Sequence, residues 1–156
     1  KRMIIIKKED ISKLISEYKN NGLSIVFTNG CFDLLHSGHL DLLRRASEFG
    51  DKLIVGLNSD VSVKKLKGRS RPIENESVRS NNLLDKSFVD DVIIFNEITP
   101  KKLIEQIIPN VLVKGGDYKK EEIVGYNNVT KNGGVVRIVP LTPGFSTTLI
   151  INKSNR

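Results

Sequence analysis

"NGCFDLLHSGHLDLL", residues 29–43, carries both histidines of the 156-residue chain, His36 and His39, with Gly38 between them. Two patterns meet in it. Upstream, "LSIVFTNG" (23–30) is a continuous apolar run closed by asparagine and glycine, which predicts a buried strand ending in a turn. Downstream, "HLDLLRRASEFG" (39–50) sets Leu40, Leu42, Leu43, Ala46 and Phe49 at helical spacing and stops at a glycine, which predicts an amphipathic helix. A buried strand that turns through glycine into such a helix opens an alternating α/β chain.

The alternation continues in both directions. "ISKLISEY" (11–18) predicts a helix ending at "KNNG". "KLIVGLNSD" (52–60) is a second strand, followed by a lysine-rich loop through "KKLKGRSRP". A helix over roughly 76–86 leads to strand "VDDVIIF" (89–95). "TPKKLIEQII" predicts a helix with Thr99 as N-cap and Pro100 at its first position. "PNVLVKGGD" is strand then loop, "EEIVGYNNVTKNGG" a short helix, "GVVRIVP" the last strand, and "STTLIINK" opens a final helix. Short continuous apolar strands alternating with helices predict a doubly wound parallel α/β sheet of about five strands. Length predicts a single domain over residues 1–156.

Composition narrows the function. The chain carries 25 Lys and Arg against 18 Asp and Glu, a formal charge of +7, which favours anionic partners. No basic block is interleaved with aromatics, so a nucleic-acid groove is not the first reading. No apolar run approaches the ~20 residues of a membrane span, and "MIII" (3–6) is too short for a signal-peptide core. One cysteine excludes an internal disulfide framework and fits a reducing cytoplasm. The chain opens on Lys1 rather than methionine.

In open α/β sheets ligands bind at the carboxyl ends of the strands. Residues 28–33, 58–60, 96–97, 114–118 and 142–148 fall there, and they are polar, charged and glycine-rich. Neither G-x-G-x-x-G after the first strand nor G-x-x-x-x-G-K-[ST] occurs, which lowers dinucleotide and P-loop chemistry. Two histidines and one cysteine do not readily supply a zinc site. A helix beginning near Gly38 would set His36 and His39 on one face of its first turn, beside unbonded N–H groups. That end suits anions, and Gly38 would let a phosphate approach the backbone. Imidazoles and amides together would cradle a triphosphate. The plainer reading is that one histidine caps the helix and the other packs on the core.

"TNGCFDLLHSGHLDLL" resembles the HxGH signature of the nucleotidyltransferase superfamily, within the longer pattern G-x-F-D-x-x-H-x-G-H. "GFSTTLI" (144–150) resembles that superfamily's C-terminal Ser/Thr-rich signature. Between them, "NSDVSVKKLKGRSRP" and "FVDDVIIFNEITPKKLIEQIIPNVLVKGGDY" resemble the bacterial heptose-1-phosphate adenylyltransferases, which make ADP-heptose for lipopolysaccharide, often as one half of a kinase–transferase. The resemblance spans about residues 25–153. It implies a Rossmann-like fold, here without a sugar-kinase domain and so in the stand-alone form. Glycerol-3-phosphate cytidylyltransferases share the HxGH and STT motifs and are the competing reading.

The resemblance implies roles residue by residue. His36 and His39 would hold the nucleoside triphosphate and stabilise its transition state. Thr28, Asn29, Gly30, Cys31, Phe32 and Asp33 would form the loop beneath the phosphates. Lys67, with Lys64 as the alternative, would reach the α-phosphate or the incoming sugar phosphate, with Arg71 and Asn58 nearby. Arg79 would face the triphosphate. Ser146, Thr147 and Thr148 would donate to the β- and γ-phosphates. Lys114, Gly115, Gly116 and Asp117 would meet the base and ribose.

Many superfamily members carry an arginine just after the Ser/Thr cluster; Ile151 stands there in this chain, leaving Lys153 or Arg137 to compensate. The reaction implied is in-line attack of a sugar-1-phosphate oxygen on the α-phosphorus of ATP. Mg²⁺ would bridge phosphate oxygens, assisted by Asp33 and Asp117. A homodimer is compatible with the sequence. The rival of another class is a non-catalytic nucleotide- or RNA-binding module, which would not require the histidine pair.

Overall fold

The computed structural model describes residues 6–141. After a 3-10 turn at Lys8–Asp10 come α1 (Ile11–Asn20), β1 (Ile25–Gly30), α2 (Ser37–Ser47), β2 (Lys52–Asn58), α3 (Asp60–Lys67) and α4 (Glu76–Leu84). They are followed by β3 (Asp91–Phe95), α5 (Lys101–Ile107), β4 (Val111–Gly115), a 3-10 turn at Lys120–Glu122, α6 (Tyr126–Lys131) and β5 (Val135–Val139). The final helix expected from Ser146 lies outside the described residues, as do Thr147, Thr148, Ile151 and Lys153.

The five strands form one parallel sheet in the order β3-β2-β1-β4-β5. This is the doubly wound Rossmann-like arrangement expected. Alternation along each strand loads both faces. On β1, Ile25 and Phe27 pack with Leu14, Ile15, Leu103, Ile104 and Val129 of α1, α5 and α6. Val26 packs the other way, with Leu43, Ala46, Leu83 and Leu84 of α2 and α4. Burial on both faces is why the strands read as unbroken apolar runs. The chain reverses its winding between β1 and β4, which opens a crevice at their carboxyl ends.

Three local expectations are corrected. The lysine-rich segment after β2 is helical through Lys67: Ser59 caps α3 by accepting the Ser62 N–H at 3.2 Å, and Lys64, Lys65 and Lys67 fall in its last turn. Cations there oppose the negative end of the helix dipole, so the charge run and the helix agree. Helix α5 begins at Lys101 with Pro100 rather than Thr99 at the N-cap, and the Thr99 hydroxyl, one residue earlier, accepts the Lys101 N–H at 3.5 Å. The weak helix after β4 is split into a 3-10 turn and α6, parted at Gly125, whose φ of 95° is a left-handed conformation open to glycine. Among the described residues no helix is long and apolar enough to cross a membrane.

Candidate active site

The loop from β1 to α2 is the centre of the site, and its backbone is constrained. Phe32 and Leu34 have φ values of 47° and 54°, a region that L-residues seldom occupy. Asp33 holds the loop in place. It is buried, and it accepts the Ile73 N–H at 2.8 Å, the Glu74 N–H at 3.0 Å and Arg71 Nε at 3.2 Å. Glu74 returns the tie by accepting the Leu34 N–H at 3.1 Å. Asp33 is therefore a clamp between two loops rather than a carboxylate turned to a metal, and Arg71 is its buried partner rather than a surface cation for the sugar phosphate.

The histidines cap α2 reciprocally. His36 stands at the N-cap, and its Nδ1 accepts the N–H groups of Gly38 at 3.1 Å and His39 at 3.3 Å. His39 Nδ1 in turn accepts the His36 N–H at 3.3 Å. The rings stack with centroids 3.7 Å apart, and Phe32 meets His39 edge-on at 5.4 Å. One expectation changes here. The Gly38 and His39 amides are bonded to His36, and Gly38 is buried, so these amides do not form the anion cradle expected of the helix start. Capping and chemistry are not alternatives, because only Nδ1 is used for the cap. Burial, with His36 and Lys67 adding to it, pushes the His39 pKa down to about 3; burial lowers that of His36 too.

Arg79 is also redirected. It is 0% exposed, and its guanidinium donates to the carbonyls of Glu74, Cys31 and Asn58 at 2.8–2.9 Å and to Asp60 Oδ1 at 2.8 Å. It braces the loops after β1 and β2 from beneath and does not face a triphosphate. Thr28 is likewise buried and donates to the Val113 carbonyl at 2.9 Å, tying β1 to β4. Arg137, a candidate to replace the missing arginine, lies 5.6 Å over the Phe49 ring, beyond the opposite end of α2 from His36.

A cleft of about 540 Å³ opens over the β1–β4 reversal, lined by Asn29, Gly30, Cys31, Asn58, Lys67 and Lys114 among the expected residues. Lys64, Gly115, Gly116 and Asp117 are not among its walls. Sequence reasoning missed the remaining lining: Leu66, Ile98–Pro100, Tyr118 and residues 122–124. Ile98 and Tyr118, large apolar residues shortly after the ends of β3 and β4, were the available signal. Cys31 lines the cleft with Lys67 and Lys114. Burial raises its pKa, against the lowering influence of Lys67, Arg79 and Arg71.

The chain matches the Cytidylyltransferase-like family over residues 27–153. It belongs to that family. The assignment fits nucleotidyl transfer and a nucleotide substrate. Bifunctional protein HldE of Rhodopseudomonas palustris strain BisB5 is 50% identical over 151 residues, 97% of this chain and 31% of that protein. HldE of Haemophilus ducreyi is 51% identical over 149 residues, 96% of this chain and 31% of that one. The chain thus spans about a third of the length of these relatives.

Among solved structures it resembles the lipopolysaccharide core biosynthesis protein from Thermoplasma volcanium GSS1, with a TM-score of 0.63, 28% identity, and coverage of 78% of this chain and 98% of that one. Pantoate-beta-alanine ligase from Francisella tularensis, complexed with beta-gamma ATP and beta-alanine, shares the fold at a TM-score of 0.57 and 18% identity, over 88% of this chain and 67% of that one.

Proposed function

We propose that this family member transfers AMP from ATP to a heptose 1-phosphate, giving ADP-heptose and pyrophosphate, in the cytoplasm. The reading is supported by roughly 50% identity to the HldE proteins across nearly the whole chain and by the likeness to a lipopolysaccharide core biosynthesis protein. The observation that carries the chemistry is the reciprocal histidine cap. A ring whose Nδ1 accepts an N–H must, when neutral, carry its proton on Nε2. Burial keeps both rings neutral near pH 7. Each is then a fixed Nε2–H donor, its tautomer set by the main chain of α2.

In the reaction an oxygen of the acceptor phosphate bonds to the α-phosphorus of ATP while the bond from that phosphorus to the bridging oxygen breaks. The electron pair leaves with pyrophosphate. The acceptor is already ionised, so no residue forms a covalent bond. Positioning and neutralisation of spreading charge are what the protein supplies. The Nε2–H donors and the Lys67 ammonium act on that charge, and such preorganised donors gain most where water is excluded. Ser146, Thr147 and Thr148 complete the triphosphate contacts in this proposal.

Mg²⁺ enters with the triphosphate as part of the substrate. Among the described residues no cluster of three or more His, Cys, Asp or Glu stands ready to hold a metal, and the Asp33 oxygens are bonded to the 71–74 loop. No protein-held metal cage fits these residues, and no step is assigned to one.

Pyrophosphate release tests the proposal with ATP or CTP against heptose 1-phosphate or glycerol 3-phosphate. We expect the highest kcat/KM for ATP with heptose 1-phosphate. A higher value for CTP with glycerol 3-phosphate overturns the heptose assignment and keeps nucleotidyl transfer. Release with none of the four pairs overturns both.

A further inference from the structure

Strand alternation splits the carboxyl end of β4 between the two faces of the sheet. Gly115 turns toward α2, where an added Cβ would meet Leu42 Cδ2 at 2.9 Å. Lys114 points the other way, into the cleft that Lys67 enters from the end of α3. Both lysines line this one cleft together with Cys31, on the loop after β1.

Lys114 is half-buried and held 5.5 Å from the Tyr118 ring centre. Burial lowers its pKa. Among the described residues no carboxylate lies within ion-pair distance of it. A desolvated cation without a counter-charge is costly unless an anion arrives to pair with it.

We infer that Lys114, with Lys67 opposite, binds the phosphate of the acceptor sugar phosphate, and that Lys114 does not serve the base or ribose of the nucleotide. The inference rests on the nucleotidyl-transfer reading above and adds a subsite to it. Geometry supports the division. His36 and His39 stand at the start of α2 and are not among the walls of the cleft, which is bounded by Leu66 and Lys67 of α3 and by Thr99 and Pro100 before α5. In-line displacement requires the acceptor to approach the α-phosphorus opposite the departing pyrophosphate. An acceptor phosphate at Lys114 and a triphosphate at His36 and His39 would face each other across Gly30 and Cys31. Around the two lysines, Asn29, Asn58, Thr99 and Glu122 offer the hydrogen-bonding groups that sugar hydroxyls need.

Cys31 is the only cysteine of the chain, so its alkylation reports occupancy of the cleft without requiring turnover. The rate with iodoacetamide at pH 8.5 is measured against increasing inorganic phosphate, heptose 1-phosphate and ATP, in the wild type, Lys114→Met and Lys114→Arg. Methionine keeps the length and apolar stem of the side chain, and arginine keeps its charge.

Heptose 1-phosphate should slow alkylation of the wild type. Lys114→Met should need at least ~10-fold more of it for the same protection and Lys114→Arg much less, an ordinary magnitude for losing one charge-assisted bond. In steady-state assays Lys114→Met should raise KM for the sugar phosphate by the same factor and leave KM for ATP within twofold. A parallel rise in KM for ATP, or protection by heptose 1-phosphate that is the same in wild type and Lys114→Met, overturns the inference. If no nucleotide and acceptor pair releases pyrophosphate, the proposed reaction fails. Phosphate-dependent protection lost in Lys114→Met would then still support the anion subsite.

Discussion

The imidazoles of His36 and His39 lie 3.7 Å apart with planes 19° from parallel, and each Nδ1 accepts the backbone N–H of the other residue. Two like rings would repel as imidazolium ions and lose both caps, since a protonated Nδ1 cannot accept. The arrangement is stable only while both are neutral.

This separates structure from chemistry at a single atom. Asn offers an oxygen near the Nδ1 position and nothing at Nε2, so His36→Asn and His39→Asn should keep the cap. We expect melting temperatures close to wild type and pyrophosphate release reduced at least ~100-fold, the scale of losing one transition-state donor. His36→Ala should lose the same activity and in addition about 1 kcal/mol of stability with the cap. Near-normal turnover in either Asn variant would make that histidine purely structural.

Stability should fall on acidification. The folded-state pKa of His39 is held at about 3, and that of His36 is lowered, both chiefly by burial, from an ordinary 6.5. Below pH 6.5 the unfolded chain therefore binds protons that the folded chain refuses. The contribution is fully present above that pH and is lost progressively toward pH 3. Thermal melts at pH 7.5, 6 and 5 should show a decline that the His36→Asn, His39→Asn double variant flattens. An equal decline in both proteins would assign the acid sensitivity elsewhere.

Arg79 should matter to folding. Removing a fully buried guanidinium leaves three carbonyls and the Asp60 carboxylate without their donor. Arg79→Met is expected to cost about 3–5 kcal/mol, the usual result of breaking a buried charge pair, read as a lower urea midpoint. An unchanged midpoint with weakened ATP binding would return Arg79 to the triphosphate.

Lys67 is the converse case. It is exposed at the end of α3 and reaches the cleft. Lys67→Ala should reduce kcat/KM while changing stability by within ~0.5 kcal/mol. A large fall in melting temperature with normal activity would show that Lys67 holds the fold.

The order of strands and helices, the parallel sheet and the place of the histidine pair were legible in the sequence, because each depends on neighbours a few residues apart. Apolar runs mark strands buried on both faces, and glycines mark the turns after them. The spacing of His36 and His39 sets them on one helical turn. Only the tertiary structure decided which polar groups face the cleft. Arg79 reads as one more cation of a basic chain, yet its acceptors lie at positions 31, 58, 60 and 74, gathered only when β1, β2 and α4 pack together. Asp33 reads as a candidate metal ligand until the 71–74 loop folds over it. Lys114 and Gly115 are adjacent in sequence and diverge because the pleat of β4 sends them to opposite faces. A hydrogen bond or an ion pair joins groups that are close in space, and between residues tens of positions apart that closeness is created by packing.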